Sequence, residues 1–66
     1  MNMSLTDIAK AIKKQLRKRE AKTAATLAYV IFGTSDGRLV SRVLGVMVAN
    51  QEAVCAGGRP MTYVKP

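Results

Sequence analysis

The chain has 66 residues, eleven Lys or Arg against four Asp or Glu, no histidine, and a net charge of +7. At that length it forms one domain at most (residues 1–66) and buries only about 60% of its extended-chain surface. Its 48% hydrophobic residues and mean hydropathy of +0.05 exclude a compositionally disordered chain.

The first helix is expected from Ser4 to about Lys18. Leu5, Ile8, Ala9, Ile12 and Leu16 follow the spacing of one apolar helix face. Ser4 is placed to cap it, and Asp7, three residues on, suits the positive end of the helix dipole. Lys10, Lys13, Lys14 and Arg17 fall on the outer face, whereas Arg19 would turn back onto the apolar side, so the helix should end or bend there. The charge is concentrated in this region. Between Lys10 and Lys22 stand seven cations and only Glu20, a local +6, and the rest of the chain sums to +1. Such a stretch is either a solvated helix face or a surface that attracts polyanions.

Thr23 is expected to cap a second helix from Ala24 to about Phe32, with Leu27, Val30 and Ile31 inward. This segment is apolar nearly all round, and Tyr29–Phe32 also suits a strand. Gly33-Thr-Ser-Asp-Gly37 breaks the pattern, and Thr34, Ser35 or Asp36 can cap a third helix from Arg38 to about Asn50. Turning about 100° per residue, Leu39, Val40, Val43, Leu44, Val46, Met47 and Val48 share one side. Arg38, Ser41, Arg42, Gly45 and Ala49 fill the narrow remainder. A two-residue period fails here, because Val40 and Leu44 share parity with Arg38 and Arg42. The tail reads as a strand over Ala53–Ala56, a Gly57-Gly-Arg-Pro60 turn and a strand over Met61–Lys65. Cys55, unable to form an internal disulfide, is expected as a small apolar filler of the first of these strands and fits a reducing compartment.

Three helices and a two-stranded hairpin wing make a mainly helical α+β fold, in the order of a winged helix-turn-helix domain. The chain resembles that superfamily in specific residues. Thr23-Ala-Ala-Thr-Leu27 is similar to the start of its second helix, Val40-Ser-Arg-Val-Leu44 to its recognition helix, and Glu52–Val64 to its wing. Similar small relatives are the compact regulators of fimbrial operons and MarR- or GntR-like modules. There are departures: the turn before Val40 is about two residues longer than usual. Compared with winged helices that bind left-handed DNA, Gly45 replaces the recognition-helix tyrosine, and the wing offers only Pro60 with Tyr63 in place of a Pro-Pro pair.

DNA binding needs cations that displace counterions from phosphates and side chains that reach base edges. Arg38 and Arg42, one turn apart, each carry a fork that fits guanine O6 and N7. Ser41 is short enough for a phosphate or base edge, and Gly45 and Ala49 permit close approach. Arg59 on the glycine-rich turn suits a narrow minor groove or a phosphate. Lys22, Ser35 and Lys65 are candidate phosphate contacts, Thr23 and Ser35 by virtue of helix N-termini. Tyr63 is expected to pack within the wing.

Catalysis has no foundation in the residues: no histidine, scattered carboxylates, a cysteine without an activating base, and no cluster with metal-ligand spacing. No enzyme activity, cofactor or metal is expected. No apolar run approaches the ~18 residues of a membrane span, and the N-terminus lacks the order of a secretory signal, so the expected location is cytoplasmic. The sequence thus predicts a DNA-binding transcriptional regulator whose partners are double-stranded DNA and, for specificity, a homodimer or a partner regulatory protein. The alternatives are a phage-type protein-binding inhibitor or adaptor, and a basic α+β RNA-binding protein in which Leu27–Phe32 and Arg38–Val48 pair as a hairpin. Membrane attachment through the first helix is disfavoured by the absence of aromatic residues on its apolar face.

Overall fold

A computed structural model describes residues 4–66. It is a small α+β domain, roughly half helical. Its elements are α1 (Leu5–Gln15), β1 (Lys22–Thr23), α2 (Ala24–Phe32), α3 (Arg38–Ala49), β2 (Val54–Gly57) and β3 (Thr62–Val64). The strands form one antiparallel sheet in the order β1-β3-β2. Lys22 lies opposite Tyr63 and Thr23 opposite Thr62, while Val54 lies opposite Val64. Two-residue β1, with no alternation to betray it, is absent from the sequence reading; only the hairpin it joins was expected. The segments 27–32 and 38–48 lie in helices, so the hairpin they were weighed as forming is excluded.

Local chemistry sets the helix ends. Ser4 Oγ accepts a hydrogen bond from the Asp7 N–H at 3.1 Å, and Thr23 Oγ1 accepts one from the Thr26 N–H at 3.1 Å. Both are the expected caps, each satisfying a donor with no partner inside the helix. Helix α1 stops at Gln15, three residues before the expected end. Leu16 turns extended and stays buried (1% exposed), while the last carbonyls find cations beyond the helix. Arg17 Nη1 donates to the Lys14 and Leu16 carbonyls at 2.8 and 3.0 Å, and Lys22 Nζ to the Gln15 carbonyl at 2.7 Å. Cations belong at this negative end of the helix dipole.

Helix α3 begins differently from the expectation. Its cap is Gly37, which has no side chain to offer, and the Asp36 carboxylate reaches the Arg38 N–H from one residue earlier, at 3.2 Å. Gly37 is required by close packing: a Cβ there would sit 2.8 Å from the backbone of Ala24 and Ala25 at the start of α2. At the other end Gln51 adopts a left-handed conformation (φ 62°). The Gln51 N–H bonds the Val48 carbonyl and the Glu52 N–H bonds the Met47 carbonyl, a Schellman ending built without glycine. That turn brings Glu52 to Lys13 on α1, 2.8 Å away.

One core joins the three helices. Ile8, Ile12 and Leu16 of the α1 segment meet Leu27 and Ala28 of α2 and Val40, Val43, Leu44 and Met47 of α3, with Ala53 closing one end. Each large aliphatic side chain removed from water here stabilises the fold by about 1.5–3 kcal/mol. On α2 the inward line is Ala24, Leu27, Ala28 and Ile31, spaced i, i+3, i+4, i+7; Val30, expected inward, is 54% exposed. Cys55 lies in β2 as expected but is exposed, because the hairpin stands off the core and only Tyr63 packs against it.

Candidate nucleic-acid interface

The outward side of α3 carries the residues expected there. Arg38, Ser41, Arg42, Gly45 and Ala49 are all exposed, at i, i+3, i+4, i+7 and i+11. Beyond its chain neighbours and its own helix backbone, no atom lies within 4 Å of where a Gly45 Cβ would stand, so the middle of this face is open and low. The apolar arc behind it is narrower than the sequence suggested. Leu39 and Val46 are 44% and 61% exposed and, with Ala9, line the hollow between α1 and α3.

The two arginines of this face differ in their surroundings. Arg38 is forked onto Asp36: Nε donates to Oδ1 at 3.0 Å and Nη2 to Oδ2 at 2.7 Å. This pairing holds the Asp36 carboxyl down from the ordinary 3.8 to about 2, through the side-chain hydrogen bond first and the backbone Arg38 N–H second, and it raises the pKa of the Arg38 guanidinium. Both groups are exposed, so the pair is an electrostatic clasp in water and is weak as a source of stability. The fork that fits guanine is thus already occupied by a carboxylate at Arg38. Arg42 has no carboxylate or carbonyl partner among the described residues.

The hairpin supplies a further cation. Gly57 and Gly58 take φ values of 89° and 95°, a region closed to most side chains. They turn the chain so that Arg59 and Pro60, joined by a cis peptide bond, lie exposed at the tip. Thr62 Oγ1 donates to the Gly57 carbonyl at 2.8 Å and closes the base of the turn. Arg59 likewise has no carboxylate partner among the described residues.

The remaining candidates are dispersed. Lys22 is half-buried; its ammonium serves the end of α1 and lies 3.6 Å from Glu20, so it is engaged within the fold. Ser35 is exposed in the α2–α3 loop, where Thr34 Oγ1 accepts from the Asp36 N–H and Asp36 accepts from Arg38. Lys65 is exposed just beyond β3, and its backbone N–H donates to the Arg17 carbonyl. The candidates therefore fall into an open pair, Arg42 with Ser41 on α3, a separate exposed tip at Arg59, Ser35 and Lys65 exposed on other segments, and Arg38 and Lys22 engaged by partners within the fold. Sequence reasoning missed Asp36 as a partner of Arg38, although two residues separate them and the signal was local.

No protein-family model matches the chain, and no curated protein or solved structure is significantly similar to it. Among the described residues no helix is long and apolar enough to cross a membrane.

Proposed function

We propose that this protein is a small DNA-binding regulator of winged-helix type, placing α3 in a major groove and the β2–β3 hairpin on the adjacent backbone or minor groove. Three packed helices followed by a basic hairpin support this reading. The observation that carries it is the outward face of α3: Ser41, Arg42, Gly45 and Ala49 form a low, open strip with one unengaged guanidinium. A strip of small residues lets a helix approach the groove closely, and an arginine rising from it can reach base edges. The surplus charge supplies the phosphate attraction that precedes base contact. In this reading the protein is a binding module and performs no catalysis.

Titrating isotope-labelled protein with a random-sequence duplex pool at low and high salt tests this. The expected result is amide shifts centred on Ser41, Arg42, Gly45 and Arg59, with affinity falling steeply as salt rises. Shifts confined to Lys10–Arg19, or no shifts at low salt, overturn it.

A further inference from the structure

The structure leaves a groove between α1 and α3 with a volume of about 520 Å³. Its floor is Ala9, Val43 and Met47. Above it stand three apolar side chains that the fold leaves in water: Leu5 (65% exposed), Leu39 (44%) and Val46 (61%). A hollow of this volume, lined mainly by apolar side chains with a few charged ones at its edge, has the size and lining of a binding site.

The groove's charge selects its occupant. Lys10 and Arg42 stand on its rim, neither with a carboxylate partner among the described residues, while Lys13 and Glu52 on the same rim neutralise each other at 2.8 Å. The rim is therefore cationic by two. We infer that this groove docks an acidic amphipathic helix of a partner protein, leucine-like side chains on the floor and carboxylates against Lys10 and Arg42. A second copy of the chain would bring those two cations against their own equivalents, on molecules that each carry +7. A duplex carries the complementary charge but has no apolar ridge to dry Leu5, Leu39 and Val46. A helix supplies both in one element, its anchors at i, i+3, i+4 and i+7 matching a groove walled by two helices. This inference concerns the α1-facing flank of α3, which shares Arg42 with the outward strip, and stands whether or not the protein binds DNA. Because Arg42 belongs to both surfaces, the docked helix competes with a duplex for it.

The test uses a fluorescein-labelled synthetic peptide roughly four helical turns long, with leucine along one face and glutamate on both flanks, and no DNA present. The expected result is saturable binding with amide shifts at Ala9, Leu39 and Val46, weakened by salt. Val46→Asp should weaken binding by about tenfold or more, and Lys10→Glu severalfold. Both positions are exposed, and circular dichroism checks that each variant remains folded. Three outcomes overturn the proposal: no shifts along the groove at saturating peptide; equal binding of a peptide with lysine in place of each glutamate; or sedimentation of the wild type as a dimer that Val46→Asp converts to monomer, which would make a second copy the occupant.

Discussion

The start of α3 and the middle of its outward face contain the same two residue types, a glycine and an arginine, and use them in opposite ways. At the start, Gly37 is pressed against the backbone of α2 and Arg38 is clasped by Asp36. One turn further on, Arg42 has no carboxylate partner among the described residues, and about two turns on, Gly45 has open space above it. The first pair builds the fold; the second is presented to whatever approaches. Residue type and charge count do not separate these roles. What separates them is the contact a neighbouring element makes or fails to make.

The glycines offer the largest contrast. Gly37→Ala puts a methyl group 2.8 Å from main-chain atoms that no rotamer change can move, so α2 and α3 must separate. Overpacking of this kind costs about 1–3 kcal/mol, read as a lower urea midpoint. Gly45→Ala adds its methyl to open solvent and removes a poor helix former, which should raise stability by about 0.5–1 kcal/mol. The same substitution raises the outward strip, and duplex affinity should fall while stability rises. If both variants lose stability alike, the two glycines are not distinct and the comparison fails.

The arginines should differ next. Arg42→Ala should cost about 1–3 kcal/mol of duplex binding where its fork meets a guanine. Arg38→Ala should cost less, because its fork must leave Asp36 before it can read a base. Fluorescence anisotropy with one selected duplex at two salt concentrations measures both, and Lys14→Ala serves as a reference for a plain surface cation. Equal losses for Arg42→Ala and Lys14→Ala would mean that α3 is not read against bases at all.

Features decided by neighbours in the chain were legible in the sequence. The three helices, the hairpin, and the caps Ser4 and Thr23 follow from apolar spacing and from side-chain oxygens within three residues of the N–H groups they serve. Features decided by distant contacts were not. Strand β1 exists because Thr62 and Tyr63, some forty residues on, lie beside Lys22 and Thr23. Leu39 and Val46 are left exposed beside a hollow between α3 and α1, an element about thirty residues away in the chain. Lys22 lost its place among the available cations when the end of α1 came within reach of its ammonium. Gln51 takes a conformation that its type does not announce, since Asn50 beside it is the better candidate for a left-handed residue. The α3 strip was readable as a set of positions, while the availability of each arginine required the surroundings.

The smallest effect is the most direct reading of that availability. Asp36 titrates at about 2 in the folded chain against an ordinary 3.8, so its clasp contributes fully above 3.8 and is lost as the pH falls through about 2. The carboxyl carbon shift of Asp36 should have its midpoint near the lower value, and the Arg38 Nε shift should move with it while that of Arg42 stays flat. Arg38→Ala should return the Asp36 midpoint toward 3.8, and added salt should do so in part, because both partners face water. The stability change over this window should be slight, as an exposed pair is screened. A wild-type midpoint near 3.8 would show that Arg38 stands as open as Arg42. The two arginines would then form one continuous cationic edge, and the duplex-binding losses of Arg38→Ala and Arg42→Ala should converge.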